Sequence, residues 1–281
     1  MSILKVGMVQ QSCTTDIKAN IAKLTENICE CAAKGAKLVV LQELHNSVYF
    51  CQTEDASLCD LAETIPGPST EYFGDLAKRL GIVLVLSLFE KRAPGLYHNT
   101  AVVIEKDGSI AGKYRKMHMF DIDVEGGQYY SESSVITAGD EVCVVETEFG
   151  PIGVAICYDV RFPELFRLLA KRGAKAVVMP ASFNRTTGPA HWELLMRARA
   201  LDQEMYVLGC AAAGDLAGSY NGWGHSIAVD PWGSIMEELG EGPGMLMAAV
   251  DFAKADAVRS QIPVLQQLRT DIYEVCEKTV G

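Results

Sequence analysis

Short apolar runs alternate with helical patterns along the whole chain, and that alternation limits the possible folds more than any single residue does. Strand-length runs rich in Val, Ile and Leu lie at residues 5–10, 38–42, 82–90, 99–105, 109–114, 142–147, 152–156, 176–179, 206–211, 226–230, 235–238 and 245–250. Helical patterns occupy 16–34, 70–80, 163–171, 192–203 and 252–262, and Gly35, Gly81 and Gly173 each stand where a helix ends on a left-handed residue. Three reversals break the strand–helix rhythm: Asp107-Gly108, which is the preferred type I′ pair, Phe149-Gly150-Pro151 and Trp232-Gly233. Hairpins mixed with strand–helix units predict an α/β fold with mixed sheets. Two sheets face to face, with helices outside each, would bury this many apolar strands. Gly126-Gly127 and 240–244 read as loops.

No linker or low-complexity segment divides the chain, so its 281 residues are expected to form one domain over 1–281. No apolar run approaches the roughly 18 residues of a membrane span. The segment Met1-Ser2-Ile3-Leu4-Lys5-Val6 lacks a signal-peptide layout, and the expected location is cytoplasmic. A formal charge of −11, with the basic residues scattered, disfavours nucleic acid and anionic membranes as partners. It does not disfavour a small anionic substrate, which a few buried cations can hold locally. Nine cysteines, an odd count with no C-x-x-C, argue against a disulfide framework and a zinc site. Cys29 and Cys31 fall on different faces of a predicted helix and chelate poorly. No phosphate loop or dinucleotide fingerprint is present, and Gly224-His225-Ser226-Ile227-Ala228 lacks the closing glycine of a serine nucleophile elbow. Neither cofactor nor metal is expected.

Three strand segments end in a reactive residue. The run Leu38-Val39-Val40-Leu41-Gln42 delivers Glu43, Lys113-Tyr114-Arg115 delivers Lys116, and Gly153-Val154-Ala155-Ile156 delivers Cys157. Cys157 stands between a strand and a helix that opens at Pro163. A thiol near the positive end of a helix is expected to have a lowered pKa, which suits a nucleophile. A carboxylate and an ammonium would complete its chemistry as base and oxyanion donor.

With their flanks, these residues resemble the Glu–Lys–Cys triad of the nitrilase superfamily of carbon–nitrogen hydrolases. The resemblance runs from Gly7-Met8-Val9-Gln10 to Ile262-Pro263-Val264. Its distinctive stretches are Tyr114 through Val124, the decapeptide GVAICYDVRF from Gly153 to Phe162, and Phe183-Asn184-Arg185-Thr186-Thr187-Gly188-Pro189-Ala190-His191-Trp192-Glu193-Leu194-Leu195. The last is similar to the omega-amidase branch. Asn46-Ser47-Val48-Tyr49-Phe50-Cys51-Gln52 instead resembles the N-carbamoylputrescine amidase branch.

The resemblance implies a four-layer α-β-β-α sandwich and a cofactor-free, metal-free cysteine amidohydrolase. Cys157 would attack the amide carbon, and Glu43 would take the thiol proton and later activate water. Lys116 and the backbone N–H of Tyr158 would hold the oxyanion. Glu132 falls where the superfamily places a supporting glutamate, which would fix Lys116. The expected substrate is a small amide, 2-oxoglutaramate or 2-oxosuccinamate, whose far carboxylate would meet Arg161, with Tyr49 and Thr187 beside it. N-carbamoylputrescine is the alternative, and its amine tail would need an acidic wall such as Asp121 and Asp123; deaminated glutathione is a third. A scaffold that has lost turnover is the non-enzyme alternative. His118 and His191 read as positioning or packing residues. A homo-oligomer is expected, as a dimer through the Pro163 helix or something larger.

Overall fold

The computed structural model describes residues 3–50, 56–125, 128–214 and 220–278. The chain opens with β1 (Leu4–Gln10), α1 (Ile17–Ala33), β2 (Leu38–Leu41), α2 (Pro68–Leu80), β3 (Val83–Ala93), β4 (Leu96–Ile104) and β5 (Ile110–Arg115). A small hairpin, β6 (Asp121–Asp123) with β7 (Tyr129–Ser131), leads to β8 (Val144–Thr147), β9 (Gly150–Val154), α3 (Pro163–Lys171) and β10 (Ala176–Ala181). Then come α4 (Gly188–Gln203), β11 (Tyr206–Ala211), β12 (Ile227–Val229), β13 (Ile235–Glu238), β14 (Gly244–Val250) and α5 (Phe252–Gln261).

The strands form two six-stranded sheets, ordered β14-β1-β2-β3-β4-β5 and β13-β12-β11-β10-β9-β8. Parallel neighbours joined through helices sit at the centre of each sheet, and the antiparallel hairpins lie towards the edges. The last strand leaves the second sheet and returns to pair with the first, Leu4 opposite Val250.

Side-chain alternation along β2 shows how the layers arise. Val39 and Leu41 face outward onto Leu24 and Ile28 of α1 and Phe73 and Leu76 of α2. Leu38 and Val40 face inward and join Val154, Val178 and Leu208 of the second sheet. Because both faces are covered, the strand is apolar throughout rather than alternating. On the far side, Leu165 and Leu169 of α3, Trp192 and Met196 of α4 and Phe252 of α5 close the fourth layer. α4 approaches β11 closely enough that a Cβ at Gly209 would lie 2.0 Å from Met196 Cε and 3.0 Å from the Trp192 ring, so a larger residue there would displace the Met196 side chain. The expected four-layer α-β-β-α sandwich is the fold observed.

Every predicted strand and helix is present, with shifted ends. α4 begins at Gly188 rather than 192, because Pro189 suits a first helical turn. The hairpin β6–β7 was not foreseen, since three-residue strands carry too little pattern. The expected Gly126-Gly127 loop lies outside the described residues, as do Cys51 and Gln52. Among the described residues no helix is long and apolar enough to cross a membrane.

Candidate active site

The three predicted reactive residues lie just past the C-terminal ends of β2, β5 and β9, and the fold brings those ends together. Pairing of the sheets' ends is direct: the Glu43 N–H donates to the Ala181 carbonyl at the end of β10, 3.4 Å away. Glu43, Lys116 and Glu132 are each no more than 2 % exposed, and Cys157 is 6 % exposed.

Lys116 Nζ is the centre of the charged cluster. It donates to Glu43 Oε1 at 2.9 Å and to Glu132 Oε1 and Oε2 at 3.0 and 2.8 Å. Two carboxylates around one buried ammonium would repel each other, but further donors reduce that cost. Asn99 Nδ2 donates to Glu43 Oε1 at 2.8 Å and to Glu132 Oε1 at 3.3 Å, and the Phe120 N–H donates to Glu132 Oε2 at 2.6 Å. Glu43 Oε2 is buried without a conventional hydrogen-bond partner among the described residues, and the Cys157 side chain neighbours the Glu43 carboxyl. Burial pushes the Glu43 carboxyl up; Lys116 pulls it down and Glu132 pushes it up again.

Cys157 has φ +44°, a left-handed conformation that costs a non-glycine residue on the order of 1–3 kcal/mol. Asp159, fully buried, holds this turn. Its Oδ2 accepts from the Ile156 N–H at 2.9 Å and the Tyr114 hydroxyl at 2.7 Å. Its Oδ1 accepts from the His118 N–H at 3.2 Å and sits 2.7 Å from His118 Nδ1. The His118 ring stacks on Phe162 at 3.6 Å, so His118 is a bonded support of the turn, as expected. These contacts tie the segment carrying Lys116 to the turn carrying Cys157.

The expected fall in the thiol pKa is not what the structure gives. The thiol is pushed well above its usual range, first by burial and then by the negative charge of Glu43, with Lys116 opposing. The reason is geometric: Cys157 opens a short 3-10 turn, Cys157–Arg161, and the α3 dipole begins only at Pro163. Desolvation outweighs a distant helix end. The resting group is a thiol, and it needs a base.

Sγ of Cys157 accepts from the Ser182 N–H at 3.4 Å and borders a narrow cavity. Phe120, Tyr158, Arg161, Ser182, Phe183, Asn184 and Thr187 line the rest. The Arg161 guanidinium lies over the rings of Tyr158 and Phe183, 5.4 and 5.5 Å from their centroids, and its Nη1 is 3.2 Å from His191 Nδ1. Among the described residues no carboxylate pairs with it, and its Nε is buried without a partner. The Thr187 N–H and Oγ1 both donate to Asn184 Oδ1, at 3.0 and 3.2 Å. Tyr49 packs on Tyr220, ring centroids 4.5 Å apart, in an aromatic cluster with Phe50, Phe120 and Tyr130, and Phe120 of that cluster lines the cavity. Asp121 and Asp123 lie exposed on β6, away from the cavity.

Sequence reading missed Asn99, Asp159, Ser182 and Tyr220, whose hydroxyl donates to the Ser182 carbonyl. The available signal was polarity in the wrong place. His98-Asn99-Thr100 interrupts β4, and a buried strand has no use for three polar residues unless their partners are buried too. Among the described residues no group of three or more His, Cys, Asp or Glu side chains is arranged to hold a metal ion, and the eight described cysteines are free.

Comparison with known proteins agrees with this geometry. The family described as carbon-nitrogen hydrolase matches residues 5–260. Omega-amidase NIT2 of Xenopus tropicalis is 41 % identical over 278 residues, covering 99 % of each chain. A carbon-nitrogen hydrolase from Helicobacter pylori G27 superposes with a TM-score of 0.88 at 32 % identity over 97 % of each chain. Saccharomyces cerevisiae Nit3, a member of branch 10 of the nitrilase superfamily, gives 0.85 at 35 % identity over 95 % of this chain and 97 % of its own. With its triad at the shared end of two sheets and such likeness along its whole length, the chain belongs to the carbon–nitrogen hydrolase family of the nitrilase superfamily.

Proposed function

We propose that this enzyme is an omega-amidase that hydrolyses the terminal amide of 2-oxoglutaramate or 2-oxosuccinamate. The observation that carries the proposal is the cavity at Cys157, which has a base and a cation buried behind the thiol and a guanidinium without a carboxylate partner beside it.

A neutral amide is a poor electrophile, and a covalent acyl-enzyme divides its hydrolysis into two easier steps. Glu43 takes the Cys157 proton as the sulfur attacks the carbonyl carbon. The negative charge then grows on the carbonyl oxygen, where Lys116 and the Tyr158 N–H stabilise it; one such donor is worth about 2.7–4 kcal/mol of barrier. Glu43 returns the proton to the departing ammonia. A water, deprotonated by Glu43, cleaves the thioester and restores the thiol. Glu132 keeps Lys116 in place throughout through two hydrogen bonds. Arg161 receives the substrate's far carboxylate, stacked between two rings that hold its plane. Thr187 borders the same cavity and supplies a hydroxyl.

The diamine alternative has less support, because Asp121 and Asp123 lie outside the cavity and Arg161 would repel an amine tail. The homo-oligomer belongs to the same proposal. Leu194 and Leu201, seven residues apart on α4, are 68 % and 53 % exposed and offer apolar surface for it. Ammonia release from 2-oxoglutaramate and from N-carbamoylputrescine, compared at steady state, tests the substrate. Turnover of the oxo-acid amide is expected, and its absence with both 2-oxo amides would overturn the reading.

A further inference from the structure

We propose that Asn99 is a positioning residue that, together with Lys116, occupies Oε1 of Glu43 and so commits Oε2 to the Cys157 proton. The inference rests on the reading of Glu43 as base and Cys157 as nucleophile, and goes beyond it by assigning the reacting oxygen and the group that selects it.

A free carboxylate has two equivalent oxygens and can turn to offer either one. In this site they are not equivalent. Oε1 accepts from Lys116 Nζ at 2.9 Å and from Asn99 Nδ2 at 2.8 Å, whereas Oε2 is buried without a conventional partner. Only Oε2 has lone pairs left for the thiol. Lys116 alone does not fill this oxygen, because its ammonium is shared with both oxygens of Glu132 and occupies one acceptor site of Oε1. The planar amide of Asn99, fully buried in β4, takes another.

The amide is itself oriented by its neighbours. Ser87 Oγ accepts from the Leu44 N–H at 3.1 Å, which leaves the hydroxyl hydrogen for Asn99 Oδ1 at 3.5 Å. With Oδ1 receiving a hydrogen, both N–H bonds of Nδ2 point at the carboxylates. The second goes to Glu132 Oε1 at 3.3 Å, so one amide bridges two groups that would otherwise repel. The Asn99 carbonyl accepts from the Lys116 N–H at 2.8 Å, which sets the lysine backbone by the same residue.

The step this controls is a proton transfer from Sγ to Oε2; the S–H bond breaks, an O–H bond forms, and the sulfur keeps the electron pair for attack. The titratable groups facing Glu43 are Lys116 after β5, Glu132 after β7, Cys157 after β9 and Tyr220. Removing the amide hydrogens leaves all four in place and withdraws one donor from the ionised form of Glu43.

The test is the rate of Cys157 alkylation by iodoacetamide against pH, with kcat/KM for 2-oxoglutaramate, in wild type, Asn99→Leu and Asn99→Ser. Folding is checked by circular dichroism, and Asn99→Ser carries the test alone if Asn99→Leu does not fold. The expected result is a 10- to 100-fold lower alkylation rate on the neutral plateau (roughly one lost charge-assisted hydrogen bond), with the acid limb moved to higher pH. An unmoved acid limb, whatever the loss of rate, overturns the proposal, since a merely structural role does not change the titration of the pair. Glu43→Gln separates the two readings. If Glu43→Gln alkylates like wild type, the assignment of the base fails; if it is slow while Asn99 variants keep the wild-type limb, only the role of Asn99 fails.

Discussion

Cys157 is a strained, buried thiol, and each of those properties predicts something measurable. Burial and Glu43 push the thiol pKa up, so the proposed mechanism draws its reactivity from the base rather than from a low pKa. Cys157→Ala is expected to abolish turnover, and Glu43→Gln to lower kcat by about 10²–10⁴-fold, as read by steady-state ammonia release. Arg161→Ala should raise KM for 2-oxoglutaramate by about 10- to 100-fold, the worth of a charge-assisted bond. The same variant should leave hydrolysis of an uncharged aliphatic amide within about threefold, and an equal loss on both amides would exclude Arg161 as the carboxylate's partner. Glu43 and Cys157 were legible in the sequence because each ends an apolar run with an abrupt change of chemistry, whereas Lys116 sits in a basic run and was legible through its flanking motif. Asn99 and Asp159 were not, because their meaning lies in partners 33 to 56 and 41 to 45 positions away, which only folding brings together.

At the scale of elements, the site depends on how a turn is held after β9. Asp159 takes hydrogens from the Tyr114 hydroxyl and the Ile156 and His118 backbones, so a single carboxylate joins β5's end to the Cys157 turn. Asp159→Asn would set an amide N–H₂ against groups that also donate. It is expected to destabilise the fold by about 2–4 kcal/mol, seen in denaturant melts, and to lower kcat more than it raises KM. Unchanged stability would show that the turn holds itself. Strand and helix existence was readable here because period-two and helical patterns are local. Ends were less so: β3 and β4 run on through exposed Lys91 and Arg92 to a turn at Gly95, φ +75°, where the hydrophobic pattern has already faded. The surroundings of Tyr49 were not readable for a related reason. A loop residue's neighbours are set by the aromatic cluster it joins, and no spacing rule reports that.

For the molecule as a whole, Glu90 and His45 are two buried groups that contribute to the response to acid. Glu90 on β3 would be pushed up by burial, but hydrogen bonds from Arg115, Thr100 and Lys113 outweigh that and hold it down to about 2. A depressed carboxyl gives stability that is present above its ordinary 4.5 and lost as pH falls toward 2. Burial lowers His45 to about 3 from 6.5, so its neutral form also favours folding, and that contribution fades as pH falls from about 6.5 toward 3. Stability is therefore expected to decline from about pH 6.5 downward. In denaturant melts, Glu90→Gln should lower stability at pH 7 and flatten its change between about 4.5 and 2, while a profile identical to wild type would contradict the assignment. The layered architecture was legible because so many apolar strands leave few other ways to bury them. The assembly state was not, because a face such as that of Leu194 and Leu201 declares its partner only in solution; light scattering should give a mass of at least two chains. The most direct test of the account's centre is rapid-quench mass spectrometry of the enzyme mixed with 2-oxoglutaramate. A transient adduct equal to the substrate less ammonia is expected on the peptide that carries Cys157. Turnover with no adduct there, or with the adduct on another residue, would contradict it.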